Sequence, residues 1–172
     1  MKRVALISDT HSYWDERLTK LFADVDEIWH AGDIGDIRLL EKLQAFKPLR
    51  AVYGNIDDRI IRSELTEMLR FECDGVDVLM THIGGYPGKY SPKVREIMSQ
   101  NPPKLMIAGH SHILKVIYDN KFDVLHLNPG ACGISGFHSI RTALRFDINE
   151  GEILNMEIIE LRARQQKGIC HE

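Results

Sequence analysis

The chain has 172 residues, of which 44% are hydrophobic and 27% charged, which is typical of one globular domain. Its net charge of -3 argues against a broad basic face for nucleic acid. No apolar run approaches the ~20 residues that a membrane helix requires, and the N-terminal residues do not resemble a secretory signal. The three cysteines, Cys73, Cys132 and Cys170, are widely spaced and odd in number. We therefore expect reduced thiols in a cytoplasmic protein, not a disulfide framework or a zinc ribbon.

The first third of the chain alternates predicted strands and helices. Asp36 is a plausible N-cap for the second helix, and Pro48 ends it. The predicted strands cover residues 4–8, 27–30 and 49–53, and the first helix covers residues 15–22. This alternation is typical of parallel βαβ units.

The rest of the chain favours hairpins around a single helix. The helix is predicted to begin at Ser91 or Pro92 and to end at Met98. Further strands are predicted over residues 70–73, 76–81, 105–108, 116–118, 124–127, 142–149 and 152–159. Residues 84–88 are expected to form a loop, either mobile or a plain surface turn. The pattern predicts an α/β fold with two mixed sheets packed face to face, in one domain over residues 1–161, followed by a polar, frayed tail over 162–172.

Five predicted strands are each followed by a short stretch of potential metal ligands. In α/β sheets, ligands gather outside the carboxyl ends of the strands, so these stretches are expected to meet. Two transition-metal ions that share one carboxylate need about seven such side chains. The candidates are Asp9, His11, Asp33, Asn55, His82, His110 and His112.

The residue types suit a dinuclear site. Asp9 and His11 are two residues apart at a strand end, so their side chains are expected to point the same way. The same holds for the two histidines of Gly109-His110-Ser111-His112. Asp33 offers two oxygens that can bridge two ions, and Asn55 offers a neutral amide oxygen. Each stretch alone has a structural explanation, since Asp or Asn after Gly is common in turns. All five explanations would have to hold together, which favours the metal site.

The order Asp-x-His, Gly-Asp, Gly-Asn, His and Gly-His-x-His resembles the calcineurin-like metallophosphoesterase superfamily, especially its small single-domain bacterial and archaeal phosphodiesterases. The resemblance spans roughly residues 4–130, and Asn128-Pro129-Gly130 also resembles a late loop of that family. It implies a four-layer α/β/β/α sandwich and a metal-dependent hydrolase of a small phosphoester, in which a hydroxide between two metals attacks phosphorus in line. By the resemblance, Asp9, His11, Asp33 and His112 hold one metal, and Asp33, Asn55, His82 and His110 hold the other. Asp33, Asn55 and His110 then also act in catalysis.

The donor set suits Mn²⁺ or Fe²⁺ best, with Zn²⁺, Co²⁺ and Ni²⁺ left open. A non-catalytic interaction scaffold on the same fold is the main alternative, and a metal-storage or sensing protein is another. The complete ligand set favours a hydrolase. The sequence does not determine the physiological substrate or the oligomeric state, so homo-oligomers stay open.

Two positions depart from the family pattern. Ile56 follows Gly54-Asn55 where many members have a proton-donating histidine, and residues 131–138 do not match the expected pattern. An isoleucine cannot donate a proton, so His138 is the first candidate for that role. We expect His30 and His126 to be structural, and Trp14, with Tyr13, to serve packing.

Overall fold

The computed structural model describes residues 1–162. Its elements, in chain order, are β1 (Lys2–Ile7), α1 (Arg17–Leu21), β2 (Glu27–His30), α2 (Ile37–Phe46), β3 (Leu49–Ala51), α3 (Arg59–Glu64), β4 (Met68–Cys73), β5 (Val76–Thr81), β6 (Gly85–Tyr86), β7 (Lys89–Tyr90), α4 (Pro92–Gln100), β8 (Leu105–Ile107), β9 (Leu114–Asp119), β10 (Val124–Pro129), β11 (Arg141–Asn149) and β12 (Glu152–Leu161). Among the described residues, no helix has the length and apolar character needed to cross a membrane.

Two five-stranded mixed sheets form the centre of the molecule. The first has the order β12-β11-β1-β2-β3, in which β1, β2 and β3 are parallel and β11 is antiparallel to both of its neighbours. The second has the order β4-β5-β8-β10-β9, in which β5, β8 and β10 are parallel and the two edge strands are antiparallel. The carboxyl ends of the parallel strands therefore share an edge within each sheet.

Three apolar layers hold the sheets and helices together. Successive residues of a strand point to opposite faces, so β1 supplies two layers at once. Val4 and Leu6 join the cluster between the two sheets, whereas Ala5 and Ile7 join the cluster under α1 and α2. A third cluster packs the second sheet against α4. The predicted four-layer α/β/β/α sandwich is confirmed.

Helix ends follow local capping chemistry. The Asp36 side chain accepts the backbone N–H of Arg38 at the start of α2, as predicted. α4 begins at Pro92 after Ser91 and continues two residues beyond Met98. α1 is shorter than predicted, because Asp15 binds the backbone and guanidinium of Arg17 just before the helix begins.

Two elements differ from the sequence predictions. Residues 59–64 form α3, whose N-cap Asp58 accepts the N–H groups of Ile60 and Ile61. The 84–88 stretch contributes to the tight β6–β7 hairpin, and a Cβ on Gly85, which has a φ of +75°, would lie 2.2 Å from the Lys89 carbonyl oxygen. The predicted tail lies outside the described residues apart from Arg162, and the single-domain assignment stays a prediction.

Candidate metal centre

Loops that follow four strands are joined by backbone hydrogen bonds at one edge of the sandwich. After β1, the N–H of Asp9 donates to Gly32 O at 3.0 Å, and the N–H of His11 donates to Asp33 O at 3.1 Å. In the second sheet, the N–H of Gly109 donates to His82 O at 3.0 Å. Backbone hydrogen bonds thus hold the loops that carry the candidate ligands next to one another.

The side chains form two adjoining groups. One contains Asp9, His11 and His112, the other contains Asp33, His82 and His110, and within each group one donor atom per residue lies within 4.8 Å of the others. The groups meet at the carboxylates. His11 Nε2 lies 3.5 Å from Asp33 Oδ2, and His82 Nε2 lies 3.8 Å from Asp9 Oδ1. Six of the seven predicted ligands are therefore brought together, as two groups of three.

Each buried carboxylate has one oxygen held by the protein and one directed into the cluster. Asp9 Oδ2 accepts from Ser8 Oγ at 2.6 Å and from the His110 N–H at 3.1 Å. Asp33 Oδ1 accepts from the Ile56 N–H at 3.0 Å, and Asp33 Oδ2 lies 3.1 Å from His82 Nε2. The carboxylates are therefore oriented before an ion binds.

His82 shows the same division between its two ring nitrogens. Its Nδ1 lies 2.7 Å from Ala31 O, and because a carbonyl oxygen only accepts, Nδ1 carries the proton. The Nε2 atom then presents its lone pair to Asp33, as a metal-binding imidazole does.

Buried polar atoms without a hydrogen-bond partner indicate whether the cluster suits a metal ion. Among the described residues, Asp9 Oδ1, His11 Nε2 and His82 Nε2 are buried and make no hydrogen bond. Such atoms are costly unless something satisfies them. Their convergence, together with the mixture of carboxylate and imidazole donors, fits divalent transition-metal ions.

Charge in the cluster is balanced between acids and imidazoles. Burial acts to raise the pKa of Asp9, but His11, His82 and the Ser8 hydroxyl outweigh it, so this pKa is lowered. Burial acts to lower the pKa of His82, but Asp33 and Asp9 outweigh it, so this pKa is raised. Protons and metal ions therefore compete for the same nitrogen atoms.

Five of the seven candidate ligands have a left-handed backbone. Left-handed conformations are unfavourable for residues with a Cβ and occur at functional sites where surrounding contacts impose them. The φ angles are 53° at Asp9, 45° at His11, 57° at Asp33, 68° at His110 and 58° at His112. Gly54 is also required for space, since a Cβ there would lie 2.0 Å from Asp33 Oδ1.

Two residues support the site through hydrogen bonds that the sequence did not predict. Buried Asp57 accepts the N–H groups of Ile34, Gly35 and Gly54 at 3.2, 2.7 and 2.8 Å. Asn128 donates to Gly109 O at 2.9 Å and to Ser111 Oγ at 3.1 Å, which braces the loop that carries His110 and His112. The only sequence signals were an acidic residue two positions after Asn55 and the Asn-Pro-Gly stretch.

The other predicted positions have different outcomes. Asn55 is exposed and lines a cleft beside His82, so its role as a ligand stays a prediction. His30 is buried, with Nε2 2.9 Å from Thr10 Oγ1 and Nδ1 accepting the Gly32 N–H, which agrees with a structural role. Burial lowers the pKa of His30 to about 4. Trp14 packs against Phe22 and Phe46, as predicted.

Two proteins of other organisms are similar to this chain in sequence. It is 30% identical over 166 residues to a probable metallophosphoesterase of Methanothermobacter thermautotrophicus, with 93% of each chain covered. It is 32% identical over 138 residues to a probable metallophosphoesterase of Methanocaldococcus jannaschii, with 74% of this chain and 67% of the relative covered.

Solved structures show the fold at lower identity. An archaeal phosphodiesterase superposes with a TM-score of 0.71 at 22% identity, covering 92% of this chain and 99% of that one. Vps29 of Entamoeba histolytica complexed with zinc superposes with a TM-score of 0.69 at 17% identity, covering 92% and 98%. Residues 1–151 match the family model of the calcineurin-like phosphoesterase superfamily domain, and the chain belongs to that family.

Proposed function

We propose that this protein hydrolyses small phosphodiesters with two divalent transition-metal ions. Membership of the family supports a metal-dependent phosphoesterase. The observation that carries the dinuclear proposal is the convergence of Asp9 Oδ1, His11 Nε2 and His82 Nε2, all buried and without a hydrogen-bond partner among the described residues. The two groups of donors adjoin through Asp9 and Asp33, which supports two neighbouring ions.

The proposed ligand sets follow the two groups. Asp9, His11 and His112 would hold one ion, His82, His110 and Asn55 would hold the other, and Asp33 would contribute to both. The donors suit Mn²⁺ or Fe²⁺, with Zn²⁺, Co²⁺ and Ni²⁺ as further candidates. When bound, such a pair of ions supplies a nucleophilic hydroxide near neutral pH and neutralises charge on phosphoryl oxygens.

The protein's own groups orient the substrate on the open side of the cluster. His110 and Asn55 are exposed, whereas Asp9 and Asp33 lie buried beneath them. As ligands, Asn55 and His110 would hold their ion on this open side, where it can meet the phosphoryl oxygens, while Asp33, held by the Ile56 N–H, keeps a fixed position. This division supports catalytic roles for Asn55, His110 and Asp33.

Two clefts adjoin the metal cluster, which supports a diester substrate with two organic groups. One cleft, of about 220 Å³, is lined by residues that include Asn55, Arg62 and His82. The other, of about 480 Å³, is lined by His110, Ser111, His112, Ile113, Gly136, Phe137 and His138. The second lining contains no lysine, arginine, aspartate or glutamate, so it suits an uncharged group on phosphorus.

The same observations bear on the alternatives and on location. A metal-binding scaffold would use the same buried donors, so the cluster supports metal binding and the measurement of hydrolysis separates the scaffold from a hydrolase. Cys73 and Cys132 are buried free thiols. Free thiols are typical of reducing compartments, which supports the proposal of a cytoplasmic location.

The test combines metal content with hydrolysis of bis-p-nitrophenyl phosphate. We expect two metal ions per chain after reconstitution, loss of hydrolysis after chelation, and recovery when Mn²⁺ or Fe²⁺ is returned. A content of zero with Mn²⁺, Fe²⁺ and Zn²⁺ all supplied would refute the metal site. Two bound ions without hydrolysis of diesters or monoesters would instead support the scaffold.

A further inference from the structure

His138 lies between a backbone carbonyl and the candidate ligand His112. Its Nε2 is 2.8 Å from Gly133 O, and its Nδ1 is 3.3 Å from His112 Nδ1. The two rings meet edge to face, with centroids 5.2 Å apart. Both nitrogens of His138 are thus occupied by protein atoms, which argues against its role as a free proton donor to a leaving group.

These contacts determine which nitrogen of each neutral ring carries the proton. The Gly133 carbonyl only accepts, so His138 Nε2 must donate to it. His138 Nδ1 is then an acceptor, and the facing Nδ1 of His112 must donate. His112 Nε2 is left with its lone pair, 3.1 Å from Asp9 Oδ1. Two acceptor atoms at that distance repel each other unless a proton or a metal ion lies between them.

Two glycines allow the loop that carries His138 to lie close to His112. Gly136 has a φ of +124°, and a Cβ there would lie 2.4 Å from His112 Nδ1. A Cβ on Gly133 would lie 2.2 Å from Thr10 O, and the Gly133 N–H donates to Asp9 O at 3.0 Å. The series of contacts starts at the backbone of Asp9, passes through Gly133, His138 and His112, and returns to the Asp9 carboxylate.

We propose that His138 is a positioning residue that fixes His112 in the tautomer able to bind a metal through Nε2. Its effect falls on the metal held by Asp9, His11 and His112 and not on the ion beside His82. Partners of this kind change metal affinity by about 10- to 100-fold in other metal sites. The proposal rests on the proposed metal site, but it does not require hydrolysis.

The experiment compares two substitutions of the same residue with a loop control. His138→Leu removes the acceptor, whereas His138→Gln can accept from His112 Nδ1 and donate to Gly133 O. Ile134→Ala changes an exposed side chain of the same loop. Long-range ¹⁵N–¹H spectra of the metal-free proteins report the tautomers, and competitive titration with Zn²⁺ reports both metal affinities.

In the wild type and in His138→Gln we expect His112 to be protonated at Nδ1 alone. In His138→Leu we expect mixed His112 tautomers and a 10- to 100-fold weaker affinity at one of two sites. Ile134→Ala should match the wild type.

The proposal is overturned if His112 keeps its tautomer in the Leu variant, if both sites weaken equally, or if Gln behaves as Leu does. Zinc binding without hydrolysis would refute the proposed function alone, whereas no zinc binding to the wild type would refute both.

Discussion

Asp57 Oδ1 accepts the backbone N–H of Gly35 at 2.7 Å, and this contact joins the loop after β2 to the loop after β3. The other oxygen of Asp57 accepts the N–H groups of Ile34 and Gly54. Asp33 and Asn55 lie on the two joined loops. A residue outside the set of candidate ligands therefore helps to fix how far apart two of those ligands lie.

Asp57→Asn should lower both stability and metal affinity. The amide has one accepting oxygen in place of two, so at least one buried N–H loses its partner, at a cost of about 2 kcal/mol. Urea unfolding of the metal-free protein measures the first effect, and Mn²⁺ titration measures the second. Asp58→Asn is a matched control, because asparagine is an equally good N-cap for α3. Equal stability of the two variants would contradict the role given to Asp57.

Asp33→Asn should abolish hydrolysis while the fold survives. Asp33 Oδ2 lies 3.1 Å from His82 Nε2 and 3.5 Å from His11 Nε2, so one neutral amide would replace a charge shared by both groups. Hydrolysis with excess metal and the circular dichroism spectrum are the measurements, with Asp36→Asn at the start of α2 as the control. Activity within tenfold of the wild type would remove Asp33 from the shared position.

Hydrolysis rates should depend steeply on the acidity of the leaving group. Ile56 is 45% exposed beside Asp33 and has no proton to give, so poor leaving groups depart slowly. A series of aryl phosphodiesters with graded phenol pKa values measures the slope.

Ile56→His should flatten that slope for the poorest leaving groups, because an imidazole there can protonate the departing oxygen. Ile117→His, on the exposed strand β9, is the control. If the slope is shallow in the parent protein with chemistry rate-limiting, another residue supplies the proton. An unchanged slope in Ile56→His would show that position 56 does not face the reaction.

His126 should make the metal-free protein less stable in mild acid. It is fully buried, and neither ring nitrogen has a hydrogen-bond partner among the described residues. Burial, aided by Lys115, lowers the pKa of His126 from its ordinary value of 6.5 to about 4. As pH falls below 6.5, the unfolded chain binds a proton that the folded state does not, so stability decreases until about pH 4.

The measurement is the free energy of unfolding in urea, with a chelator present, at pH 7.5 and pH 5. This one group should account for a loss of about 2 kcal/mol at pH 5. His126→Leu should lose less stability than the wild type over the same interval. Identical pH dependence of the two proteins would show that His126 is protonated or solvated in the folded state.

The sequence predicts those parts of the structure that depend on local pattern. The strands before Asp9, Asp33 and His82 are apolar runs, and the polar stretches after them follow a recognisable order, so the sheet edge and six ligands are predictable. The short helix α3 has too few residues for a helical period to be read. The β6–β7 hairpin depends on Gly85 and Lys89 meeting closely, which glycine content alone does not reveal.

Supporting contacts were not predictable, because they join residues distant in sequence. Asp57 accepts from a loop 22 residues away, and His138 meets His112 across 26 residues. The sequence marks His138 only as a candidate proton donor, and it indicates the bonding partners of neither side chain. The role of Asp57 depends on how the loops after β2 and β3 meet within one sheet, and that of His138 on how the loop before β11 meets the loop after β8.

The candidate ligands with left-handed backbone conformations lower the stability of the fold while they supply the donors of the site. Asp9, His11, Asp33, His110 and His112 carry unfavourable backbone conformations, which glycine would adopt at little cost. Replacing them with glycine would remove the donors and also relieve conformational strain. A selection for thermal resistance of the metal-free protein would therefore tend to erase the candidate site, and a screen that preserves the site must include metal binding among its criteria.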